Sequence, residues 1–104
     1  MLFVTYWELN ENRSTEENIQ AAQKLTSSGM FPPENVTIIR WDGTPDGWGV
    51  LIFEAESAAD ASDALGMWRA AGKGFFKLTK TAPAQPIEEA IPRTAEMLKA
   101  LASS

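Results

Sequence analysis

NVTIIRWDGTPDGWGVLIFEA, residues 35–55, is the stretch on which the fold turns. Val36, Thr37, Ile38, Ile39 and Trp41 form one β-branched and aromatic run, and Trp48 to Ala55 forms a second. Asp42-Gly43-Thr44-Pro45-Asp46-Gly47 separates them with residues that favour turns, so the two runs read as an antiparallel hairpin. The expected register sets Gly49 opposite Trp41, whose ring would cover the bare glycine backbone, and Ile38 opposite Ile52.

Working outward, Pro32-Pro33 blocks any helix from running into this hairpin, because neither proline donates an amide proton and each forces its predecessor extended. Before it lies Ser14-Thr15-Glu16-Glu17, a capping box that starts a first helix. Ile19, Ala22 and Leu25 give that helix an apolar stripe, and Gly29 ends it. Met1 to Leu9 reads as a first strand. After the hairpin, Ser57 with Asp60 opens a second helix whose inward residues are Ala61, Ala64, Leu65, Trp68 and Ala71. Gly72 and Gly74 close it, and Phe75 to Thr81 is a fourth strand, with Lys77 and Lys80 marking an edge. Ala82 to Pro86 is extended connection, and Glu88-Glu89 begins a last helix, with a break expected at Pro92, towards Met97, Leu98 and Leu101.

The order strand, helix, strand, strand, helix, strand is the split β-α-β motif. The expected fold class is therefore α+β: a ferredoxin-like βαββαβ four-stranded antiparallel sheet with helices on one face, plus a C-terminal helix. At 104 residues one domain spanning 1–104 is expected, with 81–104 as connection and tail.

Composition narrows function by exclusion. The chain has no Cys and no His, which removes disulfides, thiolate nucleophiles, Ser-His-Asp and Cys-His arrangements, and Cys/His zinc or haem ligation. No cofactor is expected. A net charge of -5 opposes an electrostatic hold on nucleic acid or anionic lipid. The apolar opening Met1–Leu9 is too short to span a bilayer and lacks the basic start and cleavage site of a signal peptide, so a cytoplasmic location is expected by default.

A sheet with one wet face alternates apolar and polar residues along each strand. Here Phe3, Thr5, Trp7 and Leu9 oppose Leu2, Val4 and Tyr6, and Trp48, Val50 and Ile52 oppose Leu51 and Phe53, so both faces carry large apolar groups. At about 25 cal/mol per Å² and roughly 150–250 Å² per ring, a handful of uncovered rings forfeits on the order of 10 kcal/mol. The C-terminal helix of the same chain or the sheet of a second copy could cover them, and sheet against sheet is the favoured arrangement, with the tail helix capping or swapping across. A homodimer through the open sheet face follows as the expected partner.

The start Met1-Leu2-Phe3-Val4-Thr5-Tyr6-Trp7, the Trp-Asp-Gly hairpin leading into Gly47-Trp48-Gly49-Val50-Leu51-Ile52-Phe53-Glu54-Ala55-Glu56, the helix carrying Trp68, and the late Thr81-Ala82-Pro83-Ala84-Gln85-Pro86-Ile87-Glu88-Glu89-Ala90 resemble a small bacterial domain family of unknown function. That family is similar to the dimeric α+β barrel superfamily, which also holds antibiotic-biosynthesis-type monooxygenases. The resemblance implies a ferredoxin-like protomer and a dimer. It carries no catalytic residue over, and the His used in several enzyme branches is missing from this chain.

Tyr6, Arg40, Trp41 and Trp68 are the candidate ligand-binding residues: rings to stack a flat organic molecule, with Arg40 or Lys77 to anchor its acidic group. The bland alternative is that the rings fill the core and the dimer interface. Asp42 with Asp46, and Glu54 with Glu56, lack the dense ligand spacing of a calcium loop, so no metal is expected. Gly47-Trp48-Gly49 and Gly72-Lys73-Gly74 are too short for phosphate loops, and Glu16-Glu17 and Glu88-Glu89 suit helix starts. The leading reading is a homodimeric α+β barrel binding a small aromatic or acidic molecule. The alternatives are a cofactor-independent monooxygenase and a structural or interaction module.

Overall fold

The computed structural model describes residues Met1–Ser104. Elements follow in the order β1 (Leu2–Leu9), α1 (Thr15–Ser28), β2 (Val36–Gly43), β3 (Trp48–Ala55), α2 (Ala58–Ala71), β4 (Phe76–Pro83) and α3 (Ile87–Ser103). The strands form one four-stranded antiparallel sheet in the order β2-β3-β1-β4, the ferredoxin-like arrangement.

Local chemistry sets the helix ends. The Ser14 hydroxyl accepts from the Glu17 amide at 3.0 Å while the Glu17 carboxylate accepts from the Ser14 amide at 2.9 Å, a complete capping box. Gly29 closes α1 at φ 70°, where a side chain would be strained. The Ser57 hydroxyl accepts from the Asp60 amide at the start of α2. Inside α1 the buried residues are Ala21 and Leu25, and Ile19 of the expected stripe is 51% exposed. The reason is that α1 packs mainly on α2, a neighbour narrow enough to cover one i, i+4 pair.

The hairpin register differs from the one expected. Ile38 pairs with Phe53, a bulge follows, and Trp41 then pairs with Leu51 and Gly43 with Gly49. The pairing is thus one residue away from the expected one at Ile38, and the bulge between Ile38 and Arg40 moves it by a second residue from there to the turn. The ring over Gly49 is consequently Trp7, its partner on β1, rather than Trp41. β4 also runs further than expected, into the presumed connection, because Phe3 and Val4 of β1 offer partners to Pro83 and Ala82 on this edge strand. Pro92 does not break α3, which is continuous through it.

Phe3, Trp7, Val36, Leu51, Phe53, Ala55, Ala61, Ala64 and Leu65 make the core between sheet and helices. It is thin: 15 of 104 residues are buried, little for a chain that must offset its own conformational entropy. The opposite sheet face carries the half-buried Leu2, Val4, Tyr6, Val50 and Ile52, and Trp48 beside them is 40% exposed. No helix of the chain lies over it. α3 has no buried residue and stands out from the body, which gives dimensions of 59 × 30 × 19 Å and a radius of gyration of 17.3 Å, against about 13 Å for a compact chain of this length.

Candidate functional site

The sheet divides the four candidate binding residues between its two sides. Tyr6 and Arg40 project from the open face, since Tyr6 alternates with the buried Thr5 and Trp7, and Arg40 pairs with the outward Ile52. Trp41 and Trp68 meet on the helix side, edge to face with centroids 4.9 Å apart. Further rings pack against them: Trp7 on Trp41 at 6.4 Å, Phe31 on Trp68 at 5.4 Å, and Phe75 on Trp68 at 5.1 Å. Edge-on packing at these distances fills space with ring against ring. The indole N–H groups of Trp7 and Trp68 are buried there without an acceptor.

On the open face, Arg40 is paired to Asp42 at 2.6 Å and both are half exposed or more. The Tyr6 hydroxyl donates to Glu8 at 2.8 Å, and its ring leans on Trp48 at 5.9 Å. That hydrogen bond, with desolvation and the carboxylate charge adding to it, holds the Tyr6 phenol above its ordinary pKa. A phenol so placed keeps its proton and donates; it is a poor base. Beside it a cleft of about 350 Å³ is lined mostly by polar groups, among them Glu8, Arg13, Asn18, Asp46 and Lys77. No three or more Asp or Glu side chains converge anywhere as a metal ion would need.

A second cleft, about 460 Å³, opens between α2 and the β1–β4 side of the sheet. Its floor is apolar: Phe3 from β1, Ala61 and Leu65 from α2. Its wall is polar: Thr79 and Thr81 from β4, Ser62 and Arg69 from α2. Arg69 donates to the Thr79 hydroxyl, and its guanidinium lies 5.8 Å from the centroid of the Phe76 ring, so two contacts orient the charge. Thr81 shares a hydrogen bond of 2.8 Å with Thr5, which is fully buried. The arrangement, an apolar slot with one fixed cation and hydroxyls at its rim, suits a flat molecule bearing an acidic group. None of Tyr6, Arg40, Trp41 and Trp68 lines this slot. Arg69 was nevertheless legible: it lies four residues after Leu65 and so flanks the same helical stripe, while Thr79 and Thr81 alternate in phase with Thr5 across the ladder.

Comparison with known proteins gives the family and the fold. The sequence profile of the domain of unknown function DUF3303 matches residues 1–98. No curated protein matches the sequence. Among solved structures, a protein from Nitrosomonas europaea assigned as an antibiotic biosynthesis monooxygenase superposes with a TM-score of 0.50 at 14% identity, covering 82% of this chain and 96% of that one. The fold is shared with it. A 5-chloro-2-hydroxyhydroquinone dehydrochlorinase from Burkholderia phenoliruptrix AC1100, in complex with 2,5-dihydroxybenzoquinone, scores 0.47 at 21% identity, covering 82% and 94%. A Streptomyces coelicolor A3(2) protein scores 0.48 at 15% identity, covering 83% and 100%.

Proposed function

The chain belongs to the DUF3303 family, and from that premise we propose that it is a homodimeric α+β barrel which binds a small aromatic acid in the cleft between α2 and β4. The observation that carries the binding reading is Arg69, anchored by Thr79 and Phe76 at the rim of an apolar slot of about 460 Å³. That volume lies in the ordinary range for small-molecule sites. A ring would lie on Phe3 and Leu65 while its carboxylate takes the guanidinium and the neighbouring hydroxyls. Trp41 and Trp68 then serve as the packed wall behind the core, and Tyr6 and Arg40 belong to the face that meets the second copy.

Pairing is supported by the open face itself, where Leu2, Val4, Val50 and Ile52 from the two central strands form a continuous apolar strip. A strip of this kind is closed by an identical strip across a two-fold axis. The Arg40–Asp42 pair, with Glu8 and Glu54 at the strand ends, gives the strip a polar rim.

Titration calorimetry with substituted benzoates tests the binding reading. Binding to the wild type and a loss of at least about tenfold in Arg69→Gln is expected; equal affinity in the variant, or no binding across the series, overturns it. Oxygen uptake with a bound phenolic acid would add catalysis to binding, as the fold shared with the Nitrosomonas europaea protein makes worth measuring. Sedimentation tests the pairing: the wild type should run at twice 11.4 kDa and Ile52→Glu at 11.4 kDa.

A further inference from the structure

We propose that the cleft between α2 and β4 selects aromatic acids that carry an acceptor oxygen on the ring carbon opposite the carboxylate, and that Thr5, buried behind the cleft, sets this preference by fixing the Thr81 hydroxyl. This rests on the binding reading above and names the class of ligand that the same cleft takes.

Thr5 points from β1 to the helix side of the sheet, between Phe3 and Trp7, and no part of it reaches solvent. Its hydroxyl lies 2.8 Å from that of Thr81, its cross-strand partner, and this is the one hydrogen bond its side chain makes. A hydroxyl has one proton and two lone pairs. Were Thr81 the donor, the Thr5 proton would be left unpaired in the interior, which is penalised. With Thr5 as the donor no buried proton is stranded, because Thr81 stands at the exposed rim. Thr5 therefore donates, Thr81 accepts, and the Thr81 proton is turned to the cleft.

Thr79 reaches the same state by a different route. A guanidinium has donors only, so the Thr79 hydroxyl is the acceptor in its bond with Arg69 and keeps its own proton free. Both hydroxyls are thus engaged from one side through a lone pair and face the cleft with a proton. No Asp or Glu lines the cleft to receive those protons. A ligand that displaces water from this wall must bring acceptor oxygens of its own or leave the protons unpaired.

Spacing along β4 then fixes where the second oxygen belongs. Thr79 and Thr81 are two residues apart on one face of the strand, about 7 Å from one to the other. Arg69 is tied to Thr79, so the charge stands at one end of the polar wall and the Thr81 hydroxyl at the other. That interval is close to the reach of a benzoate from a carboxylate oxygen to an oxygen on the opposite ring carbon. A carboxylate on Arg69 and Thr79 brings such an oxygen to Thr81 while the ring lies along Phe3 and Leu65. An oxygen on the adjacent ring carbon falls short. Thr5 touches no ligand in this arrangement. It is a positioning residue, which by donating to Thr81 removes the alternative in which Thr81 turns its proton inward.

Titration calorimetry with para-formylbenzoate, whose carbonyl only accepts, and para-methylbenzoate, an apolar counterpart of similar size, tests this. The wild type is expected to bind the formyl compound about fivefold more tightly. Thr81→Val, a change at the exposed rim that spares the core, should abolish that ratio while leaving the affinity for para-methylbenzoate within about twofold. Thr5→Val should lower the ratio, Thr5→Ser should keep it, and Thr5→Val added to Thr81→Val should change it no further. Equal affinities in the wild type, or a Thr81→Val variant that retains the ratio, overturn the preference. A Thr5→Val variant that retains the ratio, or that weakens both compounds alike, overturns the positioning role. Equal affinities together with a loss of about tenfold in Arg69→Gln leave aromatic acid binding in place and remove the selection. Binding of neither compound removes both.

Discussion

Gly49 is the residue at which the sheet has least room. Its partner on β1 is Trp7, whose indole packs against the position, and a Cβ there would collide with both that ring and the Asp42 carbonyl. Since the obstacle includes backbone and a buried ring, Gly49→Ala should destabilise the fold by about 3 kcal/mol, measured by urea unfolding. The sequence showed that a bare glycine needed an aromatic cover and named the wrong ring, because the hairpin closes two residues tighter than the composition of its turn indicated, which sets Gly43 rather than Trp41 opposite Gly49. Residues 14 and 17 make a different kind of case. Hydrogen bonds from the Ser14 amide and hydroxyl, with Arg13 nearby and slight burial opposing, hold the Glu17 carboxyl below its ordinary pKa. A lowered value stabilises the folded state above the ordinary carboxylate range, and that contribution is lost as pH falls through the lowered value. Ser14→Ala should cost about 1 kcal/mol at neutral pH. Glu17→Gln should flatten the acid side of the stability profile, read from unfolding midpoints across a pH series.

Among elements, those whose ends are fixed by nearest neighbours in the chain were legible from residues alone. The caps at Ser14, Ser57 and Gly29 are satisfied within one helical turn, so their chemistry is complete in the sequence. β4 ends where β1 stops supplying partners, and α3 runs on through Pro92 although the missing amide costs it a backbone hydrogen bond. Pro92 lies on the polar side, opposite Thr94 and Leu98, so Pro92→Ala removes the defect without touching the apolar face. It should stabilise α3 by up to about 3 kcal/mol, seen as greater far-UV helicity than the wild type at the same protein concentration. The proposed site shows the same division. Arg69 follows from helical spacing, while its contact with Thr79 depends on α2 crossing β4 at that point, which strand order alone does not specify.

At the scale of the whole molecule the structure has little core, an uncovered sheet face and an uncovered helix. These are one fact seen three ways: the apolar surface of the chain exceeds what two helices on one side of four strands can hide. If association supplies the remainder, it acts by mass action, and the melting temperature should rise steadily with protein concentration. Differential scanning calorimetry over a hundredfold range or about that would show it; a midpoint independent of concentration would mean that the protomer is stable by itself. Net charge of -5 does not stand in the way of self-association, because the open face has its charges at the rim, with Arg40 held by Asp42.

By itself the sequence determined the element order, the boundaries of α1 and α2 and the two-sided greasiness of the strands, all of which depend on residues a few positions apart. Only the tertiary structure decided which ring covers Gly49, on which side of the sheet each aromatic falls, and that α3 leaves the body. Those outcomes depend on the register of strands far apart in the chain and on the short, proline-bound exit after β4, where a shift of one residue exchanges the faces of the sheet.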